Sequence, residues 1–153
     1  MKVYAPIVIF CYRRKIERLI KSLKKNKEAK KSELFIFSDG YKSDLDKEDV
    51  LKVRKYINKI NGFKRVDVIT SDTNKGLGKS IIDGVTNIIN KFEKIIVLED
   101  DLVVSSYFLD FMNKSLNLFK EEKNIWSISG YSSSIPYLKN YKHEVYLSLR
   151  SSS

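Results

Sequence analysis

Short apolar runs alternate with helix-patterned stretches along the first 130 residues, and no other feature restricts the fold so tightly. Residues 3–10 are an apolar run, and Ile16, Leu19, Ile20 and Leu23 then recur at helical spacing. "LFIF" at 34–37 is a second run, closed by "SDG". Val50, Val53, Ile57 and Ile60 form the next helix face, and "NG" at 61–62 stops it. Ser43 and Asp46 ahead of it have capping-box spacing, with Asp in place of Glu. "RVDVIT" at 65–70 reads as a third strand. Ile81, Ile82, Val85, Ile88, Ile89 and Phe92 read as a helix face, and "KIIVLE" at 94–99 as a fourth, central strand. Phe108, Met112, Leu116 and Phe119 mark a fourth helix, and "IWSISG" at 125–130 a fifth strand. Such alternation predicts an α/β fold, a mainly parallel sheet with helices on both faces.

The 153 residues suit one domain. The apolar run at the start is too short to span a bilayer, and Arg13, Arg14 and Lys15 follow it rather than a cleavage site. One cysteine, Cys11, excludes an internal disulfide, and one histidine, His143, argues against a His-rich metal site or a Ser-His-Asp triad. The expected location is the cytoplasm. Residues 1–65 carry 19 Lys/Arg against 8 Asp/Glu, concentrated in 13–31, while the remainder is nearly balanced. That basic stretch fits a solvated helix face, a nucleic-acid surface or an anionic membrane surface.

"TNKGLGKS" at 73–80 looks at first like a phosphate-wrapping loop. G-x-x-x-x-G-K-[ST] requires glycine at 73, where the chain has Thr73, and Gly76 comes too late. A nucleoside triphosphatase is therefore disfavoured. Anion binding at the helix start, helped by Lys79, stays open beside a plain turn capped by Asn74.

The run Ile95–Leu98 leads straight into Glu99, Asp100 and Asp101. Three adjacent carboxylates repel one another unless a cation or hydrogen bonds offset the repulsion. Mg²⁺ and Mn²⁺ take oxygen ligands, commonly one or two carboxylates completed by substrate phosphates. Asp39 has the same address after the second strand, and Arg13 and Arg14 after the first. Ligands of open α/β sheets bind beyond the carboxyl ends of strands, so these groups converge on one edge.

"APIVIFCYRR", "LFIFSDG", "NKGLGKSIIDGV" and "IIVLEDDLVVSSYFLDFMN", in this order over residues 3–131, resemble nucleotide-sugar glycosyltransferases of the Rossmann-like GT-A fold. The likeness is greatest to N-acetylglucosaminyltransferase I and its bacterial relatives. The resemblance implies a metal-dependent transfer of a sugar, with inversion, from a nucleotide sugar, UDP-linked, to a glycan or lipid-linked acceptor. It implies Mn²⁺ or Mg²⁺ on Asp101, Asp100 against the ribose or sugar, and Glu99 beside it. It further implies Arg13 near the nucleotide, Asp39 on the uracil, and the segment from Asn74 to Lys79 lining the donor. The base and acceptor site of such enzymes lie in a C-terminal half. Residues 132–153 read as the start of that region in a cut fragment, with the base expected beyond Ser153. Asp110 and Glu144 are the in-chain alternatives, and nothing in the sequence places either near an acceptor. A nucleotidyltransferase is the rival enzyme, although "CYRRK" lacks the Gly-rich loop expected after its first strand. A basic nucleic-acid or membrane binder is the non-enzymatic rival. With the basic run not interleaved with aromatics, no nucleic-acid partner is expected, whereas peripheral contact with an anionic membrane is compatible with a transferase.

Overall fold

The computed structural model describes residues 4–131. Four strands form one parallel sheet: β1 (Ile7–Cys11), β2 (Glu33–Ser38), β3 (Arg65–Thr70) and β4 (Ile96–Glu99), in the order β3-β2-β1-β4. Four helices connect or follow them: α1 (Glu17–Leu23), α2 (Asp44–Ile57), α3 (Leu77–Phe92) and α4 (Phe108–Leu118). The fold is the α/β arrangement that the alternation predicts.

β1 is buried along its whole length because both of its faces are covered. Ile7, Ile9 and Cys11 join Leu34 and Ile36 of β2 on one face, under Ile16 just ahead of α1, Leu19 and Ile20 of α1, Val53 and Ile57 of α2, and Leu109 and Met112 of α4. Val8 and Phe10, with Phe35 and Phe37, face the other way onto α3, through Ile81, Val85, Ile88 and Phe92. Burying each such side chain contributes about 1.5–3 kcal/mol. Gly84 brings α3 close: a Cβ there would lie 2.8 Å from Phe10 Cε1 and 3.2 Å from Phe37 Cζ. Those two rings stack at 5.2 Å.

Three expectations need correction. Residues 125–130 form no strand: Ile128 packs on the core, but Trp126 is 94% exposed and no ladder partner lies alongside among the described residues. β4 is consequently an edge strand rather than a central one among the described residues, and Val97 is 44% exposed. On α3, Ile81, Val85, Ile88 and Phe92 make the buried stripe, while Ile82 and Ile89 fall outside that arc and are exposed. The apolar stretch "VYLSL", His143 and Glu144 lie outside the described residues.

The chain runs β1 to β2 to β3 outward by way of α1 and α2, then returns across the opposite face through α3 to place β4 beside β1. The direction of progress reverses between β1 and β4, the point where open α/β sheets leave a crevice for ligands. Gly84→Val should cost about 1–3 kcal/mol by overpacking α3 against Phe10 and Phe37. A urea titration should show the midpoint falling while the α/β circular dichroism of the folded state is kept.

Candidate functional site

Parallel pairing fixes which residues emerge together. Phe10 is level with Glu99 and Cys11 with Ser38, so Tyr12, Asp39 and Asp100 leave the sheet at neighbouring heights on one edge. The structure thereby gathers Arg13, Asp39 and the Glu99–Asp101 triplet on the carboxyl edge expected from the sequence.

The period-two alternation of β4 continues into the triplet. Glu99 and Asp101 point to solvent, whereas Asp100 turns inward and is 8% exposed. Loss of water raises the pKa of Asp100; the Tyr12 backbone N–H and the Arg14 charge pull it down, and Asp101 and Glu99 push it up. The neighbouring Cys11 thiol is pushed up to about 12, first by burial and then by the Asp100 charge, so it stays protonated and inert near neutral pH. Arg14 Nη1 donates to Asp101 Oδ2 at 2.6 Å, so Arg14 rather than Arg13 meets the acids. The loop beyond is tied to α1. Ser22 Oγ accepts from Val104 N–H at 3.1 Å, and the buried Asn26 donates to Ser105 O and accepts from Leu109 N–H.

Among the described residues no three Asp, Glu, His or Cys side chains converge into a ready metal cluster. The triplet offers something else: one half-exposed carboxylate, Asp101, beside a buried carboxyl, Asp100, whose ionisation is disfavoured. That suits a cation held by one carboxylate and completed by ligand oxygens.

Arg13 takes a different partner. Its Nη1 donates to Asp46 Oδ1 at 2.7 Å, and Tyr12 OH donates to Asp46 Oδ2 at 3.1 Å. Burial works to raise the Asp46 pKa, but the bonds from Tyr12, Arg13 and Ser43 win and hold it below the usual range. Asp46 thus does not complete a capping box; Ser43 Oγ donates to its carboxylate instead of capping α2.

Asp39 decides the fate of the Gly-Lys-Ser stretch. Its Oδ1 accepts from the N–H groups of Gly40 and Lys75, each at 2.9 Å, and its Oδ2 from Gly76 N–H at 2.9 Å. Gly76 is the N-cap residue of α3, with φ of 80°. The negative group at this helix start is therefore the protein's own carboxylate, which also complements the helix dipole. Asn74 does not cap the helix; its Nδ2 donates to Gly40 O at 2.8 Å. Gly40 is required there, because a Cβ would lie 2.4 Å from the Thr73 carbonyl carbon. Lys79 lies in the first turn of α3, exposed, with Nζ 3.2 Å from Asp83 Oδ2. Asp110 is likewise engaged along its own helix, 2.7 Å from Lys114 Nζ. Neither Lys79 nor Asp110 is bonded to the triplet.

The family model described as glycosyl transferase family 2 matches residues 7–143, which takes in every strand and helix of the described residues and all of these strand ends. The chain belongs to glycosyl transferase family 2. It is a glycosyltransferase. The comparison with curated proteins gave no match. Among solved structures, this glycosyltransferase is similar to protein Rv1636 from Mycobacterium tuberculosis H37Rv, at 10% identity and a TM-score of 0.39, over 87% of this chain and 99% of that one.

Composition and motif gave no signal for Tyr12 or for Asp46 as a site residue. Arg14 was visible only as the neighbour of Arg13. The raised pKa of Asp100 carries a sign. The folded state holds its proton to higher pH than the unfolded chain, so this group's contribution to stability is present in acid and is lost as pH rises through the raised value. Urea titrations over the acid range should show Asp100→Asn gaining on the wild-type glycosyltransferase as pH rises.

Proposed function

We propose that this glycosyltransferase uses a nucleoside diphosphate sugar, a UDP-sugar, together with Mn²⁺ or Mg²⁺, and passes the sugar with inversion to a hydroxyl of a glycan or lipid-linked acceptor. The observation that carries the reading is the meeting of Arg14 with Asp101 over a buried Asp100 between β1 and β4, at the switch point of the sheet. Kinship with N-acetylglucosaminyltransferase I is part of the same proposal and rests on the Glu99–Asp101 triplet.

In this reading Asp101 holds the cation, Asp100 lies against the ribose or sugar of the donor, and Glu99 lies beside it. The cation, when bound, offsets the charge that builds on the departing diphosphate. Arg14 already spans from β1 to Asp101 and supplies positive charge on the same side. Arg13, oriented by Asp46, flanks the nucleotide. Asp39 shapes the nucleoside end by gathering residues 73–76. A carboxylate accepts about four hydrogen bonds; Lys75 N–H is shared between both oxygens, at 2.9 and 3.2 Å, and a nucleobase N–H would take the place of its longer bond to Oδ2. Lys79 serves the diphosphate only after parting from Asp83, an exposed pair worth at most about 1 kcal/mol. A carboxylate takes the proton of the acceptor hydroxyl as general base.

No helix of the described residues is long and apolar enough to cross a membrane. Lys15, Arg18, Lys21, Lys25, Lys27 and Lys30 are exposed and form no ion pair among the described residues. That face supports a cytoplasmic transferase resting on an anionic membrane, with each cation near the surface contributing about 1 kcal/mol.

Asp101→Ala should leave the fold intact and weaken Mn²⁺-dependent UDP binding more than about tenfold, or about 1.4 kcal/mol. Calorimetric titration with UDP, with and without Mn²⁺ and with ATP as control, checks this. Unchanged binding would remove Asp101 from the metal site, and ATP binding equal to UDP would overturn the donor reading.

A further inference from the structure

Arg54 lies in the last turn of α2, half-buried, between the core residue Val53 and the exposed Lys55. Its side chain reaches the ends of β2 and β3. Nη2 donates to Ser71 O at 2.7 Å, to Asp39 O at 3.1 Å and to Ser38 O at 3.3 Å, and Nε donates to Ser38 Oγ at 3.3 Å. Among the described residues no carboxylate pairs with it. A half-buried cation is thus answered by main-chain carbonyls and one hydroxyl. Hydrogen bonds from charged donors are about twice as strong as neutral ones.

The place of those acceptors is what matters. The β2–β3 pairing ends at Ser38 and Thr70, with one further bond from Ser71 N–H to Ser38 O at 3.0 Å. Beyond it the two strands would diverge, and Arg54 fastens both there. The next contacts are those of the candidate site. Ser71 Oγ donates to Thr73 O, Asn74 bonds Gly40 O, and the Asp39 carboxylate takes Lys75 and Gly76. The position of the Asp39 carboxylate and of residues 73–76 therefore follows from where Arg54 holds Asp39 and Ser71.

We propose that Arg54 is a positioning residue of the donor site: by fixing the main chain at Asp39 and Ser71 it sets the geometry that selects the nucleoside. This rests on the nucleotide-sugar reading above. Lysine keeps the charge, but its single nitrogen cannot serve both the hydroxyl and the carbonyls with a planar fork. Charge alone should therefore not rescue the site.

The test uses the full chain as wild type, Arg54→Lys, Arg54→Gln and, as a control for plain destabilisation, Val53→Ala on the same helix. Two readouts are taken: amide hydrogen exchange of Ser71, Lys75 and Gly76 without ligand, and the ratio of UDP to GDP affinity with Mn²⁺. Both Arg54 variants should exchange these amides about tenfold faster and lose about tenfold in the UDP:GDP ratio, while Val53→Ala lowers the melting temperature and keeps the ratio. Arg54→Lys with wild-type exchange and wild-type ratio would overturn the proposal. So would Val53→Ala reproducing the loss of selectivity. A wild-type chain that binds neither nucleotide would overturn the donor reading itself, and the Arg54 inference with it.

Discussion

β1 pairs with β2 on one side and β4 on the other, and both ladders run parallel and in step. Every other feature of the site depends on that double pairing. It buries β1 on two faces, sets the heights at which Tyr12, Asp39 and Asp100 emerge, and places the reversal of strand order between β1 and β4. A shift of β4 by one residue would turn Asp100 outward and bury Glu99 or Asp101, since side chains alternate with period two. The apolar neighbours Ile96 and Leu98, both buried, are what hold the register.

Charge is arranged around that frame in two clusters. One joins Arg14 to Asp101 above a desolvated Asp100; the other joins Arg13 and Tyr12 to Asp46. Exposed ion pairs contribute little to stability, so their role is to orient rather than to hold the fold. The site lies at a sheet edge with its loops anchored from behind, by Asn26 and Ser22 on the β4 side and by Arg54 on the β2–β3 side. Those anchors are buried or half-buried polar groups with several bonds each, and such groups are costly to leave unpaired.

The strands and helices up to residue 119 were legible because apolar spacing carries them, as Ile16 to Leu23 and Ile81 to Phe92 show. "IWSISG" misled because a short apolar run says nothing of whether a ladder partner exists; only Ile128 finds the core. Ile82 and Ile89 misled because a helix with many isoleucines blurs the edge of its buried arc. The strand-end acids were legible as a consequence of topology. Their partners were not. Asp46 sits at capping-box spacing yet binds residues 12 and 13, and Arg54 is one basic residue among many in a Lys-rich half. Long-range pairing of side chains leaves no period in the sequence. The Gly-Lys-Ser stretch shows the same limit from the other direction, since the group that occupies its helix start, Asp39, lies 37 residues before Gly76.

The most direct test of the central claim is an NMR titration of the chain with UDP and Mg²⁺, followed by trace Mn²⁺ to broaden amides near the cation. The account predicts shifts at residues 12–14, 39–40 and 75–76, and Mn²⁺ broadening centred on 99–101. Shifts confined to residues 77–83, with no broadening at the triplet, would contradict it and return the helix start of α3 to consideration as the phosphate site.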